Sequence, residues 1–376
     1  MSYIKNIISI LLLASLFLTT TAVAYATTHK YDSQNRLIET IYDSGVTARY
    51  TYDALGNITA VFTEQHNRVP VTFTVINLAQ LRAALEEAQA DDTIIIDANI
   101  TLPSGQTLVL AVDGATQAAP VTILVNAGRR HLYVNGELIL NDGIVLTRSD
   151  DMIAVGTNGG GIQVNNNGVF NMNGGEISSN KANNGGGIEN SGEFNMSGGT
   201  ISGNTVANVG GGVRTYSSGI FSLTGGIISG NYALQSGGGV TNEGTFNMYS
   251  GEISGNTAGS NGAGVGNSST GTFSLMNGVI SGNRTDGNTG GGGVVNSGNF
   301  IMVNGEISGN WAKHGGGVRN GGIFTMNGGV ILGNTGNENG GGIYILDNSV
   351  FTMGGGKISG LVRVEKLPTL TVMEFI

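Results

Sequence analysis

The stretch GGGIENSGEFNMSGGTISGNTVANV, residues 185–209, decides the fold because its pattern recurs along the chain. Each of eight units opens with a glycine-rich triplet, at positions 159, 185, 210, 237, 262, 291, 315 and 340. Successive triplets are 24 to 29 residues apart. A repeat of this length predicts a solenoid, in which a unit buries its apolar residues only by stacking on its neighbours.

Three apolar positions recur in the units, with glycine-rich turns between them. The first directly follows the triplet: Ile162, Ile188, Val213, Val240, Val265, Val294, Val318 and Ile343. The second opens an F-x-M or F-x-L segment: Phe170, Phe194, Phe221, Phe246, Phe273, Phe300, Phe324 and Phe351. The third is Ile177, Ile201, Ile228, Ile253, Ile280, Ile307, Ile331 and Ile358. Each unit is therefore predicted to form three short strands and three bends, with alternate residues facing the core.

This arrangement is an all-β fold, a parallel β-helix, and the handedness of parallel crossovers predicts a right-handed coil. Asn also recurs, at the bend after the third strand: Asn180, Asn204, Asn231, Asn256, Asn283, Asn310 and Asn334. A second, partial column is Asn190, Asn242, Asn267, Asn296 and Asn320. Asn tolerates left-handed backbone and stacked amides bond from coil to coil, so both columns are interpreted as structural.

The rest of the chain divides around these coils. The predicted parts are a signal peptide at 1–26, a tyrosine-rich segment at 27–63, a linker at 64–70, an N-terminal cap with irregular coils at 71–158, the eight coils at 159–360 and a C-terminal end at 361–376. In the first part Lys5 precedes the apolar run IISILLLASLFL, and small residues follow up to Ala26. This pattern predicts a secretory signal and an exported mature chain without a membrane span; an uncleaved anchor is the alternative.

Composition limits the partners. The net charge of −9 disfavours nucleic acid and anionic lipid. The chain contains no Cys, so neither disulfides nor a lipid-modified cysteine can form. The oligomeric state is left open.

Tyr and apolar residues alternate with polar ones across residues 31–62, with turns at Asp43-Ser44-Gly45 and Leu55-Gly56-Asn57. This alternation predicts a β-hairpin or meander. The pairs Tyr31-Asp32 and Tyr52-Asp53, with Gly56-Asn57, resemble the YD repeat of the Rhs and teneurin families. That resemblance implies large surface or toxin proteins and carbohydrate binding. A single copy is either a packed β segment or a binding module.

Residues 71–101 predict a helix followed by a strand. Asn77 is placed to cap the helix, and Asp91-Asp92 to end it. Strands are expected at Thr93–Ile96, Thr107–Leu110, Val121–Val125, His131–Val134 and Glu137–Leu140. The segment resembles the N-terminal cap of the pectin-lyase-like β-helix superfamily, which implies that the helix covers the open end of the stack.

The I-S-G-N-x-A and G-G-G-V elements of the units resemble the paired repeats of the polymorphic outer-membrane protein family of autotransporters. Ile replaces that family's Phe, and Gly often replaces its Ala. The resemblance implies a surface adhesin.

The coils offer few residues for catalysis. Glu176, Glu252 and Glu306 share a register but never occupy adjacent coils. The four His are scattered without metal-ligand spacing, and no Lys-Ser or Lys-Thr follows the glycine triplets, as a phosphate loop requires. A non-enzymatic protein with no catalytic, metal-binding or cofactor-binding residue is therefore predicted.

One group of residues indicates a ligand contact. Arg284 and Trp311 follow the Asn of neighbouring coils, with Lys313 and His314 beside them. An exposed aromatic ring among polar side chains can stack on a sugar; the alternative is a loop that packs on itself.

Three functions stay open from the sequence. The favoured one is adhesion to, or interaction with, cell-surface glycans or proteins. The second is a carbohydrate-active lyase or hydrolase, or a degenerate descendant of one. The third is an ice- or mineral-binding face, formed by Asn171, Asn195, Ser222, Asn247, Ser274, Thr325 and Thr352.

Overall fold

The structure is a computed structural model that describes residues 26–42, 46–53, 55–65, 69–126, 128–148, 160–287 and 290–365. The signal peptide predicted at 1–26 lies outside these residues except for its last one. The chain divides into two compact units, Met1–Pro70 and Val71–Ile376. Within the described ranges, no helix combines the length and the apolar character needed to cross a membrane.

The first unit contains an antiparallel β-meander, as the alternation predicts. Its strands are Ala26–Tyr31, Leu37–Tyr42, Val46–Tyr52 and Ile58–Gln65, and each pairs with the next. The Asp of each Tyr-Asp pair organises the following turn. The Asp53 carboxylate accepts hydrogen bonds from the backbone N–H groups of Leu55 and Asn57 at 2.9 and 2.8 Å. Hydrogen bonds from Asn57 lower the pKa of Asp53, which keeps this acceptor ionised.

The second unit is a parallel β-solenoid built around three long sheets. Sheet I consists of Thr101–Leu102, Leu132–Val134, Ile162–Val164, Ile188–Asn190, Val213–Thr215, Val240–Asn242, Val265–Asn267, Val294–Asn296, Val318–Asn320, Ile343–Ile345 and Val362–Val364. Sheet II consists of Thr107–Leu110, Glu137–Leu140, Val169–Met172, Glu193–Met196, Ile220–Leu223, Thr245–Met248, Thr272–Leu275, Asn299–Met302, Ile323–Met326 and Val350–Met353. Sheet III consists of Thr72–Val75, Thr93–Ile96, Val121–Val125, Ile144–Arg148, Glu176–Ser178, Thr200–Ser202, Ile227–Ser229, Glu252–Ser254, Val279–Ser281, Glu306–Ser308, Val330–Leu332 and Lys357–Ile358.

The three predicted apolar ladders are confirmed by the strand register. Phe170 pairs with Phe194, and the Phe ladder continues in register to Phe351. Adjacent Phe rings lie 4.4 to 5.1 Å apart between centroids. The rings from Phe170 to Phe324 are fully buried. Each buried Phe contributes roughly 1.5–3 kcal/mol, so the ladder stabilises the stack of coils.

The Asn ladder is also confirmed, and each of its amides bonds to the coils on both sides. The Asn231 amide is typical: its Nδ2 donates to Oδ1 of Asn256 in the next coil at 3.0 Å. The same Nδ2 donates to the carbonyl of Ile201 in the preceding coil at 2.9 Å. The backbone N–H of Asn231 donates to the same Oδ1 of Asn256 at 3.0 Å. A single side-chain type therefore pairs the backbone groups that the bend would leave unpaired.

A fourth sheet corrects the prediction of three strands per unit. Sheet IV consists of Lys181–Ala182, Thr205–Val206, Tyr232–Ala233, Thr257–Ala258, Arg284–Thr285, Trp311–His314 and Thr335–Asn339. Its strands directly follow the Asn ladder, and Ala182, Val206 and Ala233 form a small second core beneath it. Most of these strands have two residues and small inward side chains, so they leave no apolar period in the sequence.

The helix spans Leu78–Glu87, and Asn77 caps it as predicted, since its side chain accepts from the backbone N–H of Gln80 at 2.9 Å. The predicted end at Asp91-Asp92 is wrong, because the helix stops at Glu87. Instead, the buried Asp92 carboxylate accepts from the backbone N–H of Gln89 and holds the segment after the helix. The strands expected between 93 and 140 are confirmed, with His131 outside the strand Leu132–Val134. The capping role of the helix and the right-handed sense of the coil stay predictions.

Candidate functional site

The candidate site lies on the outer face of sheet IV. The ladder Asn is buried, the next residue faces outward and the one after it faces the small second core. The outward residues of adjacent coils therefore form one column in register, which we call the sheet IV column: Lys181, Thr205, Tyr232, Thr257, Arg284, Trp311 and Thr335. The Asn ladder thus places both Arg284 and Trp311 at the surface.

Arg284 and Trp311 contact each other directly. The guanidinium carbon of Arg284 lies 3.9 Å from the centre of the Trp311 ring, a cation–π contact. The Asp286 carboxylate holds the guanidinium from the same strand edge at 2.7 Å. About half of the Arg284 and Asp286 side-chain surface is exposed. The indole is therefore held on one face by a positioned cation.

On the side away from Arg284, the neighbour of Trp311 in the sheet IV column is a smaller residue. Thr335 occupies the next position of the column and is exposed, and its side chain is far smaller than an indole. Lys313 lies two residues after Trp311 and pairs with Glu338 at 3.1 Å. The surface therefore combines an aromatic face, a hydroxyl and a paired cation and carboxylate, which are groups that pack against and hydrogen-bond a sugar ring.

The structure brings the four predicted residues into two adjoining clusters. Arg284 and Trp311 form the first, and Lys313 and His314 form the second around Glu338, which lies 3.7 Å from His314 Nε2. Nδ2 of Asn339 also donates to Nδ1 of His314 at 2.8 Å. Partial burial lowers the pKa of His314, which favours the neutral form of the ring.

Sequence reasoning missed the carboxylates Asp286 and Glu338. Asp286 lies two residues after Arg284, a spacing that places both on one face of a strand. That signal was readable from the sequence. Glu338 lies one coil further on, in the longer strand Thr335–Asn339, and only the three-dimensional register shows that it meets Lys313.

A second polar cluster lies over the outer face of sheet I and is closed to ligands. The Glu189 carboxylate is 3% exposed, accepts a hydrogen bond from the Tyr216 hydroxyl and lies 3.9 Å from Arg130. Burial raises the pKa of Glu189. Arg214 forms an ion pair with Glu243 at 2.8 Å. This cluster links neighbouring coils.

A groove of about 410 Å³ runs across several coils beside the outer face of sheet III. Gly175, Gly199 and neighbouring bend glycines contribute to its lining, and Asp142 and Glu176 supply carboxylates. Asp142 Oδ1 accepts from the backbone N–H of Gly175 at 3.1 Å. Glu176 shares its register with Glu252, which lies three coils further along sheet III. The groove does not include the Trp311 region.

Two further sequence interpretations concern ligands. The polar column of sheet II is in register, and Ile301 interrupts it after Ser274. Among the residues that the structure describes, no three His, Asp or Glu side chains come together in a possible metal site.

The fold defines this chain as a parallel β-solenoid with an antiparallel meander earlier in the sequence. Residues 31–61, which contain both Tyr-Asp pairs, match the protein family described as RHS Repeat, so the resemblance of this segment to YD repeats is confirmed. RHS repeats are found in secreted or cell-surface proteins. No curated protein and no solved structure matches the chain.

Proposed function

We propose that this chain is an exported, non-enzymatic protein that binds glycans or glycan-bearing proteins at cell surfaces. The observation that carries the proposal is Trp311, an aromatic ring held on one face by Arg284 and bordered on the other side by small, polar Thr335. A ring in this setting stacks on the apolar face of a sugar while neighbouring polar groups bond its hydroxyls.

The remaining features support the same proposal. The match to RHS repeats and the signal-like residues 1–26 favour a location outside the cell. The repeat pattern favours a right-handed, pectin-lyase-like solenoid related to autotransporter adhesins, with the helix Leu78–Glu87 covering one end. Most inward-facing residues belong to the regular ladders of the core, so a ligand is recognised by side chains of the outer surface.

The test is binding of the purified full-length chain to a glycan microarray and to intact cells. We expect binding that Trp311→Ala weakens about ten-fold or more. Tyr249→Ala is the matched control, because Tyr249 is an aromatic residue that is 47% exposed and lies on a different bend. Absence of binding to every surface, or equal loss in both variants, would refute the proposal.

The groove beside sheet III favours one second candidate, a carbohydrate-active enzyme. Its support is the pair of carboxylates, Asp142 and Glu176, in a cleft that extends along several coils. Glycoside hydrolysis uses two carboxylates. Incubation with pectate, alginate and neutral polysaccharides would show turnover that Glu176→Gln abolishes; no turnover of any polymer rejects this candidate.

A further inference from the structure

The sheet IV column carries a second aromatic residue in line with Trp311. Tyr232, Thr257, Arg284 and Trp311 occupy adjacent coils at the same register position. Three coil steps separate the two aromatic residues, about 14 Å at about 4.8 Å per step. Tyr232 is 37% exposed, and Leu234 beside it is 54% exposed. Two aromatic or apolar positions therefore border a stretch of small and polar side chains.

We propose that the sheet IV column binds a neutral, hydroxyl-rich glycan chain that lies along the solenoid axis and contacts both Trp311 and Tyr232. This inference rests on the proposed function, in which the Trp311 region binds glycans. It adds the class of ligand, its direction and a second contact residue.

The separation of the two aromatic residues indicates a polymer. A gap of about 14 Å is wider than one sugar ring, so a ligand that touches both must be a chain of several rings. The column follows the stacking direction because each step leads to the next coil. Between the aromatic residues, Thr257 presents a short side chain with a hydroxyl. Arg284, whose guanidinium covers one face of the Trp311 ring and is about half exposed, offers N–H donors to the sugar hydroxyls.

An extended peptide fits this surface less well. Peptides that bind to sheets usually add a strand to a free edge, where main-chain groups are unpaired. The column instead lies on the face of sheet IV, and its strands are already paired with the coils on both sides. A ligand on this face of sheet IV is therefore recognised by side chains.

The charges indicate a neutral ligand. Arg284 is paired with Asp286 at 2.7 Å, and Lys313 is paired with Glu338 at 3.1 Å. A sulfate or carboxylate of an acidic glycan would meet these carboxylates as well as the cations. The whole chain carries a net charge of −9, which also opposes a polyanion.

The test compares ligand length and charge by calorimetric titration of the full chain. The probes are the disaccharides and hexasaccharides of cellulose and chitin, with a heparin hexasaccharide as the acidic probe. We expect a neutral hexasaccharide to bind about ten-fold or more tightly than its disaccharide. Tyr232→Ala should remove this advantage and leave disaccharide affinity unchanged, whereas Trp311→Ala should weaken both.

Tyr232→Phe keeps the ring and should keep the length dependence, which separates stacking from a general effect on folding. Tyr249→Ala should change nothing. The inference is overturned if a disaccharide binds through Trp311 but length has no effect, if Tyr232→Ala leaves hexasaccharide binding intact, or if heparin binds more tightly than the neutral chains. Absence of binding to all probes counts against the proposed function as well.

Discussion

Asn256→Ala is the sharpest test of how the coils hold together. The Asn256 amide makes four buried hydrogen bonds. Its Nδ2 donates to the carbonyl of Ile228 at 2.9 Å and to Oδ1 of Asn283 at 3.0 Å. Its Oδ1 accepts from the backbone N–H and from Nδ2 of Asn231, both at 3.0 Å. Alanine removes all four bonds without removing the backbone bonds of the strands.

The expected cost follows from what remains unpaired. The backbone N–H of Asn231 and the carbonyl of Ile228 lose their side-chain partner inside a fully buried ladder. At about 1 kcal/mol for each lost bond, with more for buried groups left unpaired, the free energy of unfolding should fall by about 4 kcal/mol. Asn247→Ala is the control, because Asn247 is half-buried on the outer face of sheet II, and it should cost less than about 0.5 kcal/mol.

The assay is urea unfolding followed by circular dichroism, with amide hydrogen exchange to locate the effect. Faster exchange should concentrate in the coils on either side of position 256, where the ladder is broken. A loss of less than about 1 kcal/mol, or a loss equal to that of Asn247→Ala, would refute the view that the ladder stabilises the stack.

Three further predictions concern single positions. Gly239→Ala should destabilise the chain by roughly 3 kcal/mol, because a Cβ there would lie 2.7 Å from a carbonyl oxygen of the next coil. Gly255 has a φ of +61° and open space where a Cβ would lie, so Gly255→Ala should lower the free energy of unfolding by only about 1–2 kcal/mol. Equal decreases in the melting temperatures of the two variants would contradict this contrast. Burial lowers the pKa of His131 from 6.5 to about 4, so the unfolded chain binds the proton first and stability should fall by about 3 kcal/mol as the pH drops through this range. Urea unfolding at several pH values should show a smaller loss of stability at low pH for His131→Gln than for the unaltered chain. An equal loss in both proteins would contradict this prediction. Thr215 precedes Asn242 in the second Asn column, and the buried Oδ1 of Asn242 has no hydrogen-bond partner. Thr215→Asn should supply an amide donor to this oxygen and raise the melting temperature. A lowered melting temperature would contradict that geometry.

Most of the solenoid could be predicted because its ladders repeat in the sequence at nearly constant spacing. One Phe in the sheet II strand of each of the eight coils marks the register, so the strand Glu193–Met196 and its equivalents follow from the pattern alone. Sheet IV could not be predicted, since strands such as Thr257–Ala258 are too short to show a period. The helix end was misplaced because the Asp92 carboxylate accepts hydrogen bonds from the backbone N–H groups of Gln89 and of Val71, 21 residues earlier in the chain.

The candidate site was only half predictable, for a related reason. Arg284 and Trp311 were recognisable because both directly follow a ladder Asn, which fixes their direction. Their contact at 3.9 Å depends on side-chain rotamers in adjacent coils. The ion pair of Lys313 with Glu338 depends on the irregular register between the strands Trp311–His314 and Thr335–Asn339. Neither distance is encoded in local spacing.

Trp311 is the only Trp of the chain, so its fluorescence reports directly on the proposed binding site without labelling. The decisive measurement is a titration of the full chain with a glycan that it binds, following Trp emission and acrylamide quenching. Binding at the sheet IV column predicts a saturable shift of the emission to shorter wavelength and protection from acrylamide, with the affinity measured by calorimetry. Tight glycan binding that leaves both the emission and the quenching of Trp311 unchanged would contradict the account.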